Sequence, residues 1–187
     1  MKNTRRLDWL VRSAAAAALL LTSQPVLGAL GDGLVAYWPL DGDLLDGTAT
    51  GADGTFIEGT GVPDQSFDTG QFGQGIYLNN FTAGAEGQSI EITGAPSETF
   101  DFAGGSMTVS LWARAPFPPL FENQAMVAKG EGGAWRLTTD GFFETAAMRG
   151  GGLSAAGNQD EHPLADDLFH HYVGVIEAGV GVFLYYD

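Results

Sequence analysis

Beyond residue 29 no stretch keeps apolar residues at 3.6-residue spacing for three turns. That leaves no place for a long amphipathic helix. What remains is a series of short β-rich runs cut by Gly, Asp and Asn, and 28 glycines supply most of the cuts. The strongest run is Met107 to Ala115. In it Met107, Val109, Leu111 and Ala113 alternate with Thr108, Ser110, Trp112 and Arg114. A period of two puts the two sets on opposite faces of a strand. Further candidate strands are Leu34 to Leu40, Gln74 to Leu78, Ser89 to Ile92, Ala125 to Ala128, Ala134 to Thr139, Phe142 to Met148, His170 to Ile176 and Val182 to Tyr186. Asp140-Gly141 lies between two of them and predicts a hairpin. Many short strands with Gly-rich turns predict an all-β sandwich or jelly roll. Gly150 to Asp167 reads as a long polar loop containing Asn158, Gln159, Asp160, Glu161, Asp166 and Asp167. Loops of that kind, at the end of a sandwich, are where binding concentrates.

Charge divides the chain in two. Four of the eight basic residues (Lys2, Arg5, Arg6 and Arg12) lie in the first twelve positions. An apolar run, Ala14 to Leu21, and the small-residue stretch Val26-Leu27-Gly28 follow. A basic start, a short apolar core and a small-residue site predict a secretory signal over residues 1–28, cut after Gly28 or Ala29. The run is well short of the about 20 residues that cross a bilayer, so no membrane span is expected once the signal is removed. Thr4-Arg5-Arg6 hints at twin-arginine export, against which Asp8 stands in a position that wants an apolar residue. The expected location is secreted, periplasmic or cell-surface. The exported part, 29–187, keeps four bases (Arg114, Lys129, Arg136 and Arg149) against 22 acids, a net charge near −18 where the whole chain carries −15. Such a surface excludes nucleic acid as partner, since phosphate binding draws on Lys and Arg. The absence of cysteine excludes disulfides, thiolate metal sites and a cysteine nucleophile. Stability must therefore come from the core and from any bound cations.

Several segments, in order, resemble one family. Gly33 to Gly42 (GLVAYWPLDG) is similar to the opening of laminin G-like, concanavalin A-like jelly-roll domains. Asp46-Gly47 and Asp53-Gly54-Thr55 resemble the acidic loop and "DGT" turn that follow it, and Gly70 to Ile76 resembles the "G-x-F-G-x-A" segment. Met107 to Trp112 is similar to the central strand, Met126 to Gly130 to the "I-V-S-K-G" strand, Phe169 to Val173 to the "W-H-H-V-A" strand and Val182 to Asp187 to the "L-x-L-Y-V-D-G" strand. The resemblance spans roughly residues 33–187 and implies a concanavalin A-like jelly-roll β-sandwich. It also implies a C-terminal truncation, because in that family further strands follow the aspartate at 187. An unpaired sheet edge would then be exposed.

Asp41, Asp43 and Asp46 are candidate Ca²⁺ ligands. Ca²⁺ takes six to eight oxygens in loose geometry, and relatives of this fold often carry one calcium ion. The loop is not an EF-hand, since Leu45, Asp46 and Ala52 stand where an oxygen ligand, Gly and a carboxylate are required. His170-His171 is not expected to grip one ion, because neighbours on a strand point to opposite faces. Candidate ligand-binding residues are Trp112, opposite in face to Val109 and Leu111, Trp135 after Gly132-Gly133 at a loop mouth, and Asn158 and Asp160 in the polar loop. Enzyme templates are missing. There is no alternating acid pattern of glucanase type, no nucleophile elbow, no Walker loop and no His-Glu-x-x-His. The expected function is an exported non-catalytic module for carbohydrate recognition or cell-surface adhesion, with an extracellular glycan or surface protein as partner. The alternatives are a structural domain of a large surface protein without its own ligand, and a fragment of a secreted glycoside hydrolase or other enzyme.

Overall fold

The computed structural model describes residues 31–60, 64–78, 87–102, 104–115, 124–130, 134–140, 145–151, 153–156 and 166–187. The expected export signal lies outside them. The chain divides between Leu34 and Val35. Of the first unit only 31–34 are described, a turn in which the Leu34 N–H donates to Gly31 O at 3.2 Å. Everything below concerns the second unit.

Among the described residues the protein is all-β apart from one short helix, α1 (Ala95–Glu98). Eleven strands are described: β1 (Thr55–Ile57), β2 (Ser66–Thr69), β3 (Gln74–Tyr77), β4 (Ser89–Glu91), β5 (Met107–Ala113), β6 (Ala125–Ala128), β7 (Arg136–Asp140), β8 (Thr145–Gly150), β9 (Leu153–Ala156), β10 (His170–Glu177) and β11 (Gly181–Tyr186). All pairings are antiparallel. One sheet has the order β11-β10-β5, another β6-β7-β8-β9, and β1-β4 and β2-β3 form two-stranded ribbons. The β7–β8 pair, with Asp140 opposite Thr145, realises the hairpin expected at Asp140-Gly141.

Alternation places the core. On β5 the inward set is Met107, Val109, Leu111 and Ala113, as its period of two predicts. Tyr172 and Ile176 from β10, and Val182, Leu184 and Tyr186 from β11, join it. These side chains meet Leu137, Ala146 and Met148 from the four-stranded sheet and Trp135 just before β7. The layers approach closely at Gly174, where an added Cβ would lie 2.6 Å from the Met148 sulfur, and at Gly150, where it would collide with Ile176. Leu137 and Met148 are fully buried.

One expected strand is absent. Residues 34–40 carry no sheet pairing. Their main chain is satisfied by side chains instead. The Tyr37 N–H donates to Asp46 Oδ1 at 3.0 Å, and Val35 O accepts from the hydroxyls of Thr48 (3.1 Å) and Thr50 (2.6 Å). Leu40 then turns the chain with φ of 56°. Polar side chains have taken over groups that a ladder would otherwise use.

Candidate functional site

The outward face of the three-stranded sheet carries the site. Register puts Trp112 opposite His171, Ser110 opposite Val173, and Val173 opposite Tyr185. Cross-strand partners share a face, so Trp112, Ser110, His171, Val173 and Tyr185 stand together. Trp112 is 37% exposed, where a core indole would be covered. The His171 ring lies flat against it, with centroids 4.9 Å apart and planes 14° apart. Phe72 meets it edge-on at 5.7 Å and is itself 73% exposed. His171 Nε2 and the Ser110 hydroxyl are hydrogen-bonded at 2.7 Å. The result is a ridge of three rings, Phe72–Trp112–His171, with a hydroxyl at its foot. Tyr185 (59% exposed) lies farther across the same face, on the outer strand.

Phe72 reaches this ridge because of a tight turn. Gly70 to Gly73 joins β2 to β3, closed by the Gly70 N–H donating to Gly73 O at 3.0 Å. Gly73 has φ of 64°, a left-handed conformation that glycine adopts without strain. Asp41 fixes the turn from outside. Its Oδ1 accepts the Gln74 N–H at 2.9 Å, and a Cβ on Gly73 would collide with that carboxylate at 2.9 Å. Asp41, a candidate cation ligand from sequence, anchors the turn that holds Phe72.

The other two acidic candidates are also bound to main-chain donors. Asp46 Oδ1 accepts the N–H groups of Tyr37 and Thr48, at 3.0 and 2.9 Å. Its Oδ2 accepts the Thr48 hydroxyl and the Ala52 N–H, at 2.8 and 3.1 Å. Burial opposes the carboxylate form, but these bonds outweigh it and hold the Asp46 pKa below the ordinary carboxyl value. Asp43 Oδ1 accepts the Leu45 N–H at 3.1 Å, an Asx turn. Asp53, the first residue of the Asp53-Gly54-Thr55 segment, accepts the Asp46 N–H at 2.8 Å. Among the described residues no group of three or more His, Asp or Glu side chains is arranged to hold a metal ion.

Trp135 corrects the expectation of a loop-mouth aromatic. It is 8% exposed, its ring packs near Phe102 (centroids 6.3 Å), and its indole N–H donates to Phe100 O at 2.9 Å. A buried indole needs such a partner for its N–H, and here the main chain provides one. Trp135 is core. Asn158 and Asp160 lie outside the described residues. The structure therefore joins Trp112 to residues that were not singled out beside it: Phe72, Ser110 and His171. Only the alternation of β5 with β10 hinted at this, and the partners are brought in by long-range pairing.

His170 faces the other way from His171, as adjacent strand residues must. Its Nε2 lies 3.1 Å from both carboxylate oxygens of Asp166, and its Nδ1 lies 3.0 Å from the main-chain oxygen of Asp187. Asp187 Oδ1 accepts the His171 N–H at 2.9 Å and is 3.7 Å from His170 Nδ1. Nearby, Arg114 lies 3.7 Å from Asp167 and 5.2 Å above the Phe169 ring. No helix among the described residues is long and apolar enough to cross a membrane. No family model matches the chain, and no curated protein or solved structure matches it.

Proposed function

We propose that the chain is an exported, non-catalytic binding module of laminin G-like type that recognises extracellular carbohydrate on the outward face of β5 and β10. The observation that carries this reading is the exposed ridge of Phe72, Trp112 and His171 beside the Ser110 hydroxyl. Sugar rings present flat patches of C–H groups, which seat against aromatic rings, and hydroxyls, which bond to groups such as Ser and His. One face of the Trp112 indole is already covered by His171, so the most open ring for stacking is Phe72, with the indole contacted along its free edge. The acidic balance supports a neutral glycan over an anionic one, because polyanions would meet repulsion. The order of the family-like motifs from Gly33 to Asp187 supports the laminin G-like assignment.

The test is retention on a panel of insoluble polysaccharides together with a glycan array, using the native chain, Trp112→Ala and Phe72→Ala. The native chain is expected to be retained by at least one neutral glycan. Trp112→Ala should weaken that binding by about tenfold or more, equivalent to about 1.4 kcal/mol. A native chain that binds no glycan would overturn the reading in favour of a structural domain without its own ligand. Binding that survives Trp112→Ala unchanged would move the site off this face. Cleavage of the retained glycan would make the chain part of a hydrolase.

A further inference from the structure

Both nitrogens of His170 face acceptors. Nε2 meets the two carboxylate oxygens of Asp166, and Nδ1 meets the main-chain oxygen of Asp187 with that residue's carboxylate behind it. A neutral imidazole carries one N–H and one bare lone pair. Either neutral tautomer would therefore satisfy one neighbour and point a lone pair at oxygen on the other side. Only the doubly protonated ring donates in both directions. The side chain is 16% exposed, so water has limited room to repair a mismatch.

We infer that His170 is a pH latch: as an imidazolium it clamps the segment entering β10 to the residue just beyond β11, and on losing a proton it releases one of the two. The three groups come from different places in the chain, with Asp166 before β10, His170 at the start of β10 and Asp187 just beyond β11. The latch therefore sits where the β10–β11 pair ends. It also bears on the main chain of His171, since Asp187 Oδ1 holds the His171 N–H.

The remaining described groups around the ring do not offset this arrangement. Tyr172, on the same strand, lies 6.3 Å away ring to ring. Burial above all, and then Asp166 and Asp187, push its phenol far up, so it stays neutral through the relevant range. On β5 the register partner of His170 is Ala113, which carries no charge. Arg114, one residue farther, lies against Asp167 and Phe169. From the segment before β10 and from β11, the charges facing the imidazole are the carboxylates of Asp166 and Asp187.

The direction of the titration follows. Burial pulls the His170 pKa down, but the bonds to Asp166 and Asp187 outweigh it, and the pKa lies above the ordinary 6.5. A group whose folded pKa is raised contributes stability fully below its unfolded value and loses it as pH climbs through the folded one. Asp166 behaves in the opposite sense. Burial opposes its charge, but the Leu168 N–H and His170 outweigh that and lower its pKa, so its contribution disappears only as pH falls through that lowered value. The latch is thus closed in mildly acidic to neutral solution and opens toward alkaline pH.

The experiment is a pH titration of the whole chain by NMR, following the histidine Cε1–H signals, paired with thermal melts at matched ionic strength between about pH 5 and 9. His170→Gln, His171→Gln and His162→Gln assign the signals and separate the contributions. The expected result is one histidine titrating above 6.5 that vanishes in His170→Gln, and a midpoint that moves back toward 6.5 in Asp166→Asn. Native Tm should fall by a few degrees across that titration. His170→Gln should remove this fall, and His171→Gln and His162→Gln should keep it. A His170 signal titrating at or below 6.5, or a Tm fall of the same size in His170→Gln, would overturn the latch. Should His170→Gln fail to fold, Asp166→Asn with the native imidazole still decides the midpoint.

Discussion

Four hydrogens converge on the Asp46 carboxylate, from three main-chain N–H groups and one hydroxyl. The spacing of Asp41, Asp43 and Asp46 cannot distinguish such a knot from a cation site, because both gather oxygens close to a tight main chain. The same knot explains why 34–40 is no strand, since Tyr37 gives its N–H to Asp46. Asp46→Ala should therefore cost more than an ordinary surface change. It strands several half-buried donors at once, and a loss of about 1–3 kcal/mol is expected from urea denaturation. Thr50→Ser, which keeps the hydroxyl that meets Val35 O, should stay within about 0.5 kcal/mol of the native chain. A loss below that level for Asp46→Ala would mean that water replaces the carboxylate without penalty. Trp112 and Trp135 show the limit of reading single residues. Both are tryptophans next to β-rich runs, yet one is an exposed ring and the other is core. Alternation put Trp112 on the face opposite Val109 and Leu111 without saying whether that face is covered, whereas the glycines before Trp135 suggested a loop mouth and hid the Phe100 carbonyl that receives its N–H.

At the level of elements, legibility followed the strength of the two-residue period. β5, β10 and β11 lie within a residue or two of where the sequence placed them, because one face of each packs on the core and the pattern records it, and β6 stands out as a short apolar run instead. β1, β2 and β9 were not anticipated. They are three or four residues long, and their neighbours are rich in Gly, Asp and Thr, so little alternation survives to be seen. The missed β2–β3 ribbon concealed the site as well, because its turn is what brings Phe72 to Trp112. Gly174 tests the packing between layers. It lies mid-strand on β10, where glycine is unfavourable, and its reason for being there is Met148. A Cβ at 174 would meet the Met148 sulfur at 2.6 Å and its Cγ at 2.9 Å, and Met148 is fully buried with nowhere to retreat. Gly174→Ala should destabilise by about 1–3 kcal/mol in denaturant unfolding, the usual cost of overpacking. The double variant Gly174→Ala with Met148→Ala should recover part of that loss relative to the sum of the two single changes. Strict additivity would mean that the two positions do not press on each other.

For the molecule as a whole the decisive quantity is charge. The part beyond residue 28 holds four bases against 22 acids, so most carboxylates have no cation to pair with. The Arg114–Asp167 pair at 3.7 Å is exposed and contributes little in water. Self-repulsion on this scale opposes the compact state. Salt screens it, because the Debye length falls from about 10 Å at 0.1 M to about 3 Å at 1 M. Thermal stability should therefore rise steadily with NaCl over that range, most steeply at the low end. Calcium is the sharper probe. Asp41, Asp43 and Asp46 already hold N–H donors, so their carboxylates have a role that needs no cation. At matched ionic strength, CaCl₂ and NaCl should give coincident melting curves for the native chain. A saturable gain in Tm from micromolar to millimolar Ca²⁺, abolished by Asp46→Asn, would instead establish a bound ion by mass action. Hydrogen exchange at the Tyr37 and Ala52 amides would then show whether the ion leaves their bonds to Asp46 in place.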